Sequence, residues 1–298
     1  MTDITKRLEC PNYTPDAVID TDAYNEVDDQ FAIAYLLRSQ ERVKTVAIYA
    51  APFSFPHISP AEGMEASYRE ILTLLSLVGE ERPVYRGSTK YLDNEATPVE
   101  SEAARDLAAR AMNYTPDRPL YVIAIGAITN VASALLINPE IRERIVVIWL
   151  GGHARHMDIT DEYNMRQDVA AARVVMSSGV PFVQLPCAGV VSSFTISGDE
   201  LRTRLLGRGP LADHLAGYVL EVMAHLGDAD WTRVLWDVTA VAWLIDREGR
   251  FMLSRIESTV LPDYTCHYEK RDTGTPMRYV FHIFRDALMR DLIEKITD

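Results

Sequence analysis

Three cysteines, Cys10, Cys187 and Cys266, stand far apart in 298 residues and form no C-x-x-C pair. That argues against a disulfide framework and against a thiolate zinc site. Basic residues are also short: 30 Lys and Arg against 43 Asp and Glu leave a formal charge of −13. Phosphate binding needs a basic face, so neither nucleic acid nor an anionic membrane is an expected partner. No apolar run approaches the roughly 18 to 20 residues that span a bilayer. The first sixteen residues contain no apolar stretch of the kind that marks a secretory leader, so the expected setting is soluble and cytoplasmic. Internal repeats, low-complexity tracts and Gly/Ser linkers are missing too, and no break in composition divides the chain. A single domain over residues 1–298 is expected.

What is present is the composition of a globular protein, 48% apolar and 24% charged. Short apolar runs alternate with helical patterns. Ala17-Val18-Ile19, Val43 to Tyr49, Leu120 to Ile125, Ile145 to Leu150 and Phe182 to Leu185 read as buried strands. Between and after them, Asp28 to Leu37, Met64 to Val78, Asn130 to Ile137, Ala170 to Ser177, Leu211 to Leu226 and Val238 to Asp246 read as helices. This alternation predicts an α/β fold, a mainly parallel twisted sheet with helices on both faces. Thr259 to Tyr268 and Met277 to Phe284, separated by Lys270 to Gly274, predict a late β-hairpin. In such sheets ligands bind beyond the carboxyl ends of the strands.

The densest chemical signal lies there. Between Asp16 and Asp29 there are six carboxylates (Asp16, Asp20, Asp22, Glu26, Asp28 and Asp29), and no Lys or Arg occurs between Arg7 and Arg38. Like charges so close raise one another's pKa unless a cation sits among them. Oxygen ligands on a short loop suit a hard ion, Ca²⁺ or Mg²⁺. Asp28 and Asp29 also suit the first turn of a helix through its dipole.

Asp20-Thr21-Asp22 at a strand end, then Asp28-Asp29 opening a helix, resemble the inosine/uridine-preferring nucleoside hydrolases. Three further motifs follow in that family's order: Gly126-Ala127-Ile128-Thr129-Asn130, Gly151-Gly152 with Glu162-Tyr163-Asn164, and Trp236-Asp237. Each alone reads equally well as local structure. Thr129-Asn130 and Asp237 suit helix N-caps, Gly151-Gly152 a turn, Glu162 a solvated loop acid, and Trp236 core. Their joint order carries the resemblance. It implies a Rossmann-like N-ribohydrolase with a bound Ca²⁺ held by Asp22, Asp29, the main-chain carbonyl of Thr129 and Asp237. It also implies Asp22 as general base, and Asp28, Glu162 and Asn164 as contacts to the ribose. Family members commonly form homodimers or homotetramers.

The chain departs from the pattern in four places. Five residues, Ala23 to Val27, separate Asp22 from Asp28, two more than the family pattern. The added Asn25 and Glu26 are expected to reach the ribose or the cation, Asn25 replacing an Asn that the family carries after its second strand. Trp236 stands where other members have a His that serves the leaving base. That suggests a purine or modified-purine nucleoside, activated by stacking on Trp236 with Phe53, Phe55 or Tyr68. His153 and His156 are candidates for a replacement acid, since imidazole titrates near neutral pH. Residues 51–63 are expected to form a lid. Two rival readings remain: a non-catalytic nucleoside-binding protein on the same scaffold, and a haloacid-dehalogenase-like phosphohydrolase, which also places D-x-D after its first strand.

Overall fold

The computed structural model describes residues 4–227 and 230–297. Among these described residues ten strands form: β1 (Asp16–Thr21), β2 (Lys44–Ala50), β3 (Val84–Arg86), β4 (Leu120–Ala124), β5 (Ile145–Leu150), β6 (Phe182–Leu185), β7 (Thr195–Ser197), β8 (Thr232–Val234), β9 (Met252–Pro262) and β10 (Tyr268–Ile283). Eight of them make one sheet in the order β3-β2-β1-β4-β5-β6-β10-β9. Every neighbouring pair is parallel except β10 with β9. β7 and β8 form a separate antiparallel pair.

The central strands are buried along their whole length because both faces are covered. Along β5, Ile145, Val147 and Trp149 enter one core, and Val146, Ile148 and Leu150 enter the other. β4 divides the same way, with Leu120, Val122 and Ala124 on one side and Tyr121 and Ile123 on the other. The period of two in side-chain direction turns continuous apolar runs into two-faced strands. The helices Glu102–Arg110, Thr129–Ile137 and Val169–Ser177 cover one face, and Asp29–Leu37, Pro60–Val78, Pro210–Val222, Val238–Ile245 and Arg285–Thr297 supply the other.

The expected α/β architecture is therefore observed, with element ends moved by a few residues. The late hairpin is also present, but its turn lies at 263–267 and β10 runs straight through Lys270 to Gly274. Asp263 explains the shift. Its carboxylate accepts from the backbone N–H of Thr265 (2.8 Å) and of His267 (3.0 Å), which fixes the reversal there. Gly274, the apparent turn residue, has φ +71° and lies within the irregular register between Asp272 and Pro276.

Candidate active site

The parallel strands end beside one open cavity of about 610 Å³. Asp22 directly follows β1, Ile125 directly follows β4, Leu150 closes β5, and Cys187 lies just beyond β6; all four line it. The loop after β1 adds Asn25, Glu26, Asp28 and Asp29, and the segment after β5 adds His153, Asp161, Glu162, Tyr163 and Asn164. Trp236 and Asp237 arrive from the C-terminal part of the chain, at the start of the helix Val238–Ile245.

Asp28, Asp29 and Asp237 are buried, and each offers a carboxylate oxygen within 4.8 Å of the others. Two helix starts converge to do this, since Asp29 opens the helix Asp29–Leu37 and Asp237 precedes Val238–Ile245. Asp237 donates its backbone N–H to Asp28 Oδ2 (3.2 Å). Thr21 Oγ1 donates to Asp29 Oδ1 (2.6 Å). Burial pushes the Asp29 carboxyl up to about 7, against the hydrogen bond from Thr21. Burial, then the neighbouring carboxylates, hold Asp22, Asp28 and Asp237 well above the usual carboxylate range. Asp22 lies just outside the triad and packs so closely on Gly126 that a Cβ there would come within 2.7 Å of Asp22 Oδ1. Asp22 Oδ2 is buried and has no hydrogen-bond partner among the described residues. These acids, buried together and raised together, are the environment of a hard divalent cation.

One cation does reach the loop from the protein itself. Arg233, on β8, pairs with Glu26, and its charge lowers the Asp28 carboxyl against the effect of burial. The contact joins residues 207 positions apart. So Glu26, one of the residues that lengthen the loop, anchors it to the β7–β8 pair. Asn25 stays on the cavity wall, with Oδ1 unpartnered among the described residues and its backbone N–H donated to the Asp22 carbonyl (2.7 Å).

The opposite wall is differently built. Glu162 caps the short helix Tyr163–Gln167, and its carboxylate accepts from the N–H groups of Gly152 (3.0 Å), Asn164 (2.9 Å) and Met165 (3.0 Å). Asn164 Nδ2 donates to the carbonyls of Ile125 (3.2 Å) and Leu150 (3.1 Å), tying the ends of β4 and β5 together. Both residues line the cavity as expected, and both also brace it.

Thr129 begins its helix with its hydroxyl donated to Asp168 Oδ2 (2.7 Å), and it is not among the cavity-lining residues. Asp168, which no motif marks, also accepts from the N–H groups of Leu92 (2.9 Å) and Ala171 (2.9 Å) and so joins three segments. Asn130 works one layer below the site. Its Nδ2 donates to Asp20 Oδ1 (2.8 Å) and its Oδ1 accepts from Ser88 N–H (2.7 Å).

The two candidate histidines separate. His153 lines the cavity; His156 is exposed, near Gly189, and does not. Nor do Phe53, Phe55 and Tyr68 line it beside Trp236. Phe55 packs on Tyr163 at 5.7 Å between ring centres, and Tyr68 lies beneath Arg86. Within residues 51–63, Phe55 and Ile58 form a small bridge, and the helix already begins at Pro60. The segment reaches the wall through the Ser54 carbonyl, which accepts from the Tyr163 hydroxyl (2.9 Å). Cys187, which also lines the cavity, carries no motif. Its place two residues past a strand end is the one signal that marks it.

No helix among the described residues is long and apolar enough to cross a membrane. The sequence profile of the family described as inosine-uridine preferring nucleoside hydrolase matches residues 17–279. The pyrimidine-specific ribonucleoside hydrolase RihA of Citrobacter koseri is 27% identical over 249 residues, which is 74% of this chain and 77% of that protein. RihA of Klebsiella pneumoniae is 26% identical over the same shares. Among solved structures, the purine-preferring ribonucleoside hydrolase from Gardnerella vaginalis superposes with a TM-score of 0.75 at 19% identity, covering 95% of this chain and 98% of the other. A plant nucleoside hydrolase, PpNRh1, gives 0.74 at 17%, covering 95% and 99%. At these identities the two structures bear on the fold alone.

Proposed function

This chain belongs to the inosine-uridine preferring nucleoside hydrolase family and is a hydrolase acting on N-glycosyl compounds; from that premise we propose that it splits ribonucleosides into ribose and free base with the help of a bound Ca²⁺. The observation that carries the reading is the trio of buried carboxylates Asp28, Asp29 and Asp237, within 4.8 Å of one another and beside the unpartnered Asp22 Oδ2. The donor set fits a hard divalent cation. Asp29 and Asp237 hold it in this reading, with Asp22 and the Thr129 carbonyl as the further ligands the family pattern implies. When bound, such an ion orients the attacking water and the ribose 2′- and 3′-hydroxyls.

The chain's own groups do the rest. Asp22 takes the proton from the attacking water. Its buried oxygen, without a hydrogen-bond partner among the described residues, is free to accept it. Asp28 and Asn25 receive the ribose hydroxyls. Breaking the bond leaves an oxocarbenium-like ribosyl cation, and the surrounding carboxylates stabilise that charge as it develops. Trp236 offers the base a stacking face, and a two-ring purine covers more of it than a pyrimidine does. That supports purine or modified-purine nucleosides, although the RihA relatives are named pyrimidine-specific.

The experiment is ribose release from inosine, adenosine, guanosine, uridine, cytidine and modified nucleosides, before and after EDTA treatment. EDTA-sensitive release, strongest with purines, is expected. Release confined to uridine and cytidine would overturn the purine assignment, and release untouched by EDTA would overturn the cation.

A further inference from the structure

The family pattern leaves the departing base without its usual histidine, because Trp236 occupies that position. A different histidine lines the opposite wall of the same cavity. His153 follows β5 by three residues, and its backbone is clamped on both sides. Its N–H donates to Thr160 Oγ1 (2.9 Å), and its carbonyl accepts from the Tyr268 hydroxyl (2.8 Å). Gly152 before it holds φ +75°, and a Cβ there would meet Thr160 Oγ1 at 2.7 Å and the Tyr268 oxygen at 2.8 Å, so only glycine permits this approach. Ala154 after it donates its N–H to the Ala188 carbonyl (2.9 Å). The ring is engaged as well, because Ala188 N–H donates to His153 Nδ1 (3.3 Å).

That last bond decides the ring's chemistry. An Nδ1 that accepts cannot carry a proton, so the neutral ring has its hydrogen on Nε2, and the imidazolium, which needs both nitrogens as donors, is disfavoured. The charged groups facing the ring do not reverse this. Burial holds the His153 pKa below its ordinary value, Asp161 acts to raise it, and Arg166 to lower it. Asp161 and Arg166 also lie 3.6 Å apart as an ion pair, which offsets their separate effects.

We infer that His153, fixed as its Nε2–H tautomer, donates a hydrogen bond to an acceptor atom of the leaving base, N3 or N7 of a purine or O2 of a pyrimidine. The inference rests on the nucleoside-hydrolase reading above. His153 thereby recognises the base and stabilises the charge that collects on it as the glycosidic bond opens. It remains neutral throughout, so the proton that the free base finally acquires comes from water.

The test compares two substrates that share a ribose. A nucleoside needs help for its base, whereas a p-nitrophenyl riboside expels a stable phenolate unaided. His153→Ala is expected to lower kcat/KM on the preferred nucleoside about ten- to a hundredfold, the loss of one hydrogen bond to developing charge, and to change p-nitrophenyl riboside cleavage by no more than about threefold. His153→Gln, whose amide N–H can reach the Nε2 position, is expected to recover most of the loss. ¹⁵N NMR of the wild-type ring is expected to show the Nε2–H form at neutral pH. An equal fall on both substrates would mean that His153 only supports the wall. No fall on nucleosides, or an Nδ1–H or doubly protonated ring at neutral pH, would equally overturn the assignment. Wild-type protein inert toward both substrates would overturn the hydrolase reading itself, and this inference with it, and so is distinguishable from a failure of His153 alone.

Discussion

The two walls of the cavity use the same side-chain chemistry to opposite ends. On the wall built from Asp22 to Asp29 and Asp237, carboxylates lie buried beside one another, with an oxygen of Asp22 unpartnered. On the wall built from Gly151 to Asn164, Glu162 is equally buried, yet its oxygens receive three backbone N–H groups. Both sets have pKa values raised first of all by burial; backbone N–H groups oppose the rise at Glu162, whereas at Asp22, Asp28 and Asp237 neighbouring carboxylates add to it. A buried acid whose lone pairs are filled by the fold is scaffolding. One whose lone pairs stay open on a cavity wall, as at Asp22, is available to a ligand. The distinction comes from hydrogen-bond accounting and needs no knowledge of which residue looks reactive in sequence.

Four changes would break or sharpen this contrast. The largest effect is expected for Asp29→Ala, which removes a member of the triad. Activity should vanish and divalent-ion content, measured by atomic emission, should fall with it; an active, ion-loaded variant would end the assignment. Next is Asp22→Asn. Losing the proposed base should lower kcat about 10²- to 10⁴-fold, while the melting temperature of EDTA-stripped protein holds or rises because a buried, unpartnered carboxyl is gone. A fall in stability without a fall in kcat would place Asp22 on the scaffolding side.

Glu162→Gln should do the reverse. It replaces an anionic acceptor of three amides with a neutral group bearing its own N–H donors, and stability should drop by about 1.5–3 kcal/mol in denaturant titration. The effect on kcat should be smaller than that of Asp22→Asn. The least effect belongs to Arg233→Met. Its pair with Glu26 is partly exposed, so global stability should change by less than about 1 kcal/mol. Cation affinity should shift instead, because the charge opposing the rise of Asp28 is lost.

The acidic wall also predicts a pH dependence that the other wall should share only weakly. Acids whose folded pKa lies above the unfolded value bind more protons when folded, so stability falls as pH rises between the two values. For Asp29 that window runs from the ordinary value of 3.8 up to about 7. Protein stripped with EDTA should therefore melt at progressively lower temperature from pH 4 to pH 7. Saturating Ca²⁺ should restore most of the loss at pH 7 and little at pH 4. A chelated protein with a flat profile across this range would contradict the raised acids.

The alternation of β-branched runs with helical patterns fixes strands and helices well, because each signal is local. β4, β5 and β6 run nearly where the apolar runs place them. Contacts that join distant segments are less legible. Nothing around Glu26 indicates that Arg233 would neutralise it, and nothing around Asp168 indicates three donors converging on it. Gly274 is the more visible turn residue, yet the Asp263 carboxylate fixes the reversal at 263–267 with side-chain hydrogen bonds. At the site, residues of three of the four motif stretches line one cavity, Asp22 to Asp29, Glu162 to Asn164 and Trp236-Asp237, whereas none of Gly126 to Asn130 does. The difference between His153 and His156 depends on which ring faces inward, and their spacing alone does not encode it.

Trp236 and Asp237, which line the cavity, and Arg233, which pairs with Glu26, come only after more than two hundred other residues. β10, which completes the sheet beside β6, comes later still. A polypeptide emerging from the ribosome therefore carries its N-terminal acids for most of its synthesis with neither Arg233 nor Asp237 to organise them. Pairings of such sequence separation form slowly, since the intervening chain must be ordered first. Cation capture then becomes one of the last events of folding, and the free energy of binding accrues to the finished molecule alone. Any chain ending short of Asp237 retains its loop of acids but has no means of assembling the centre.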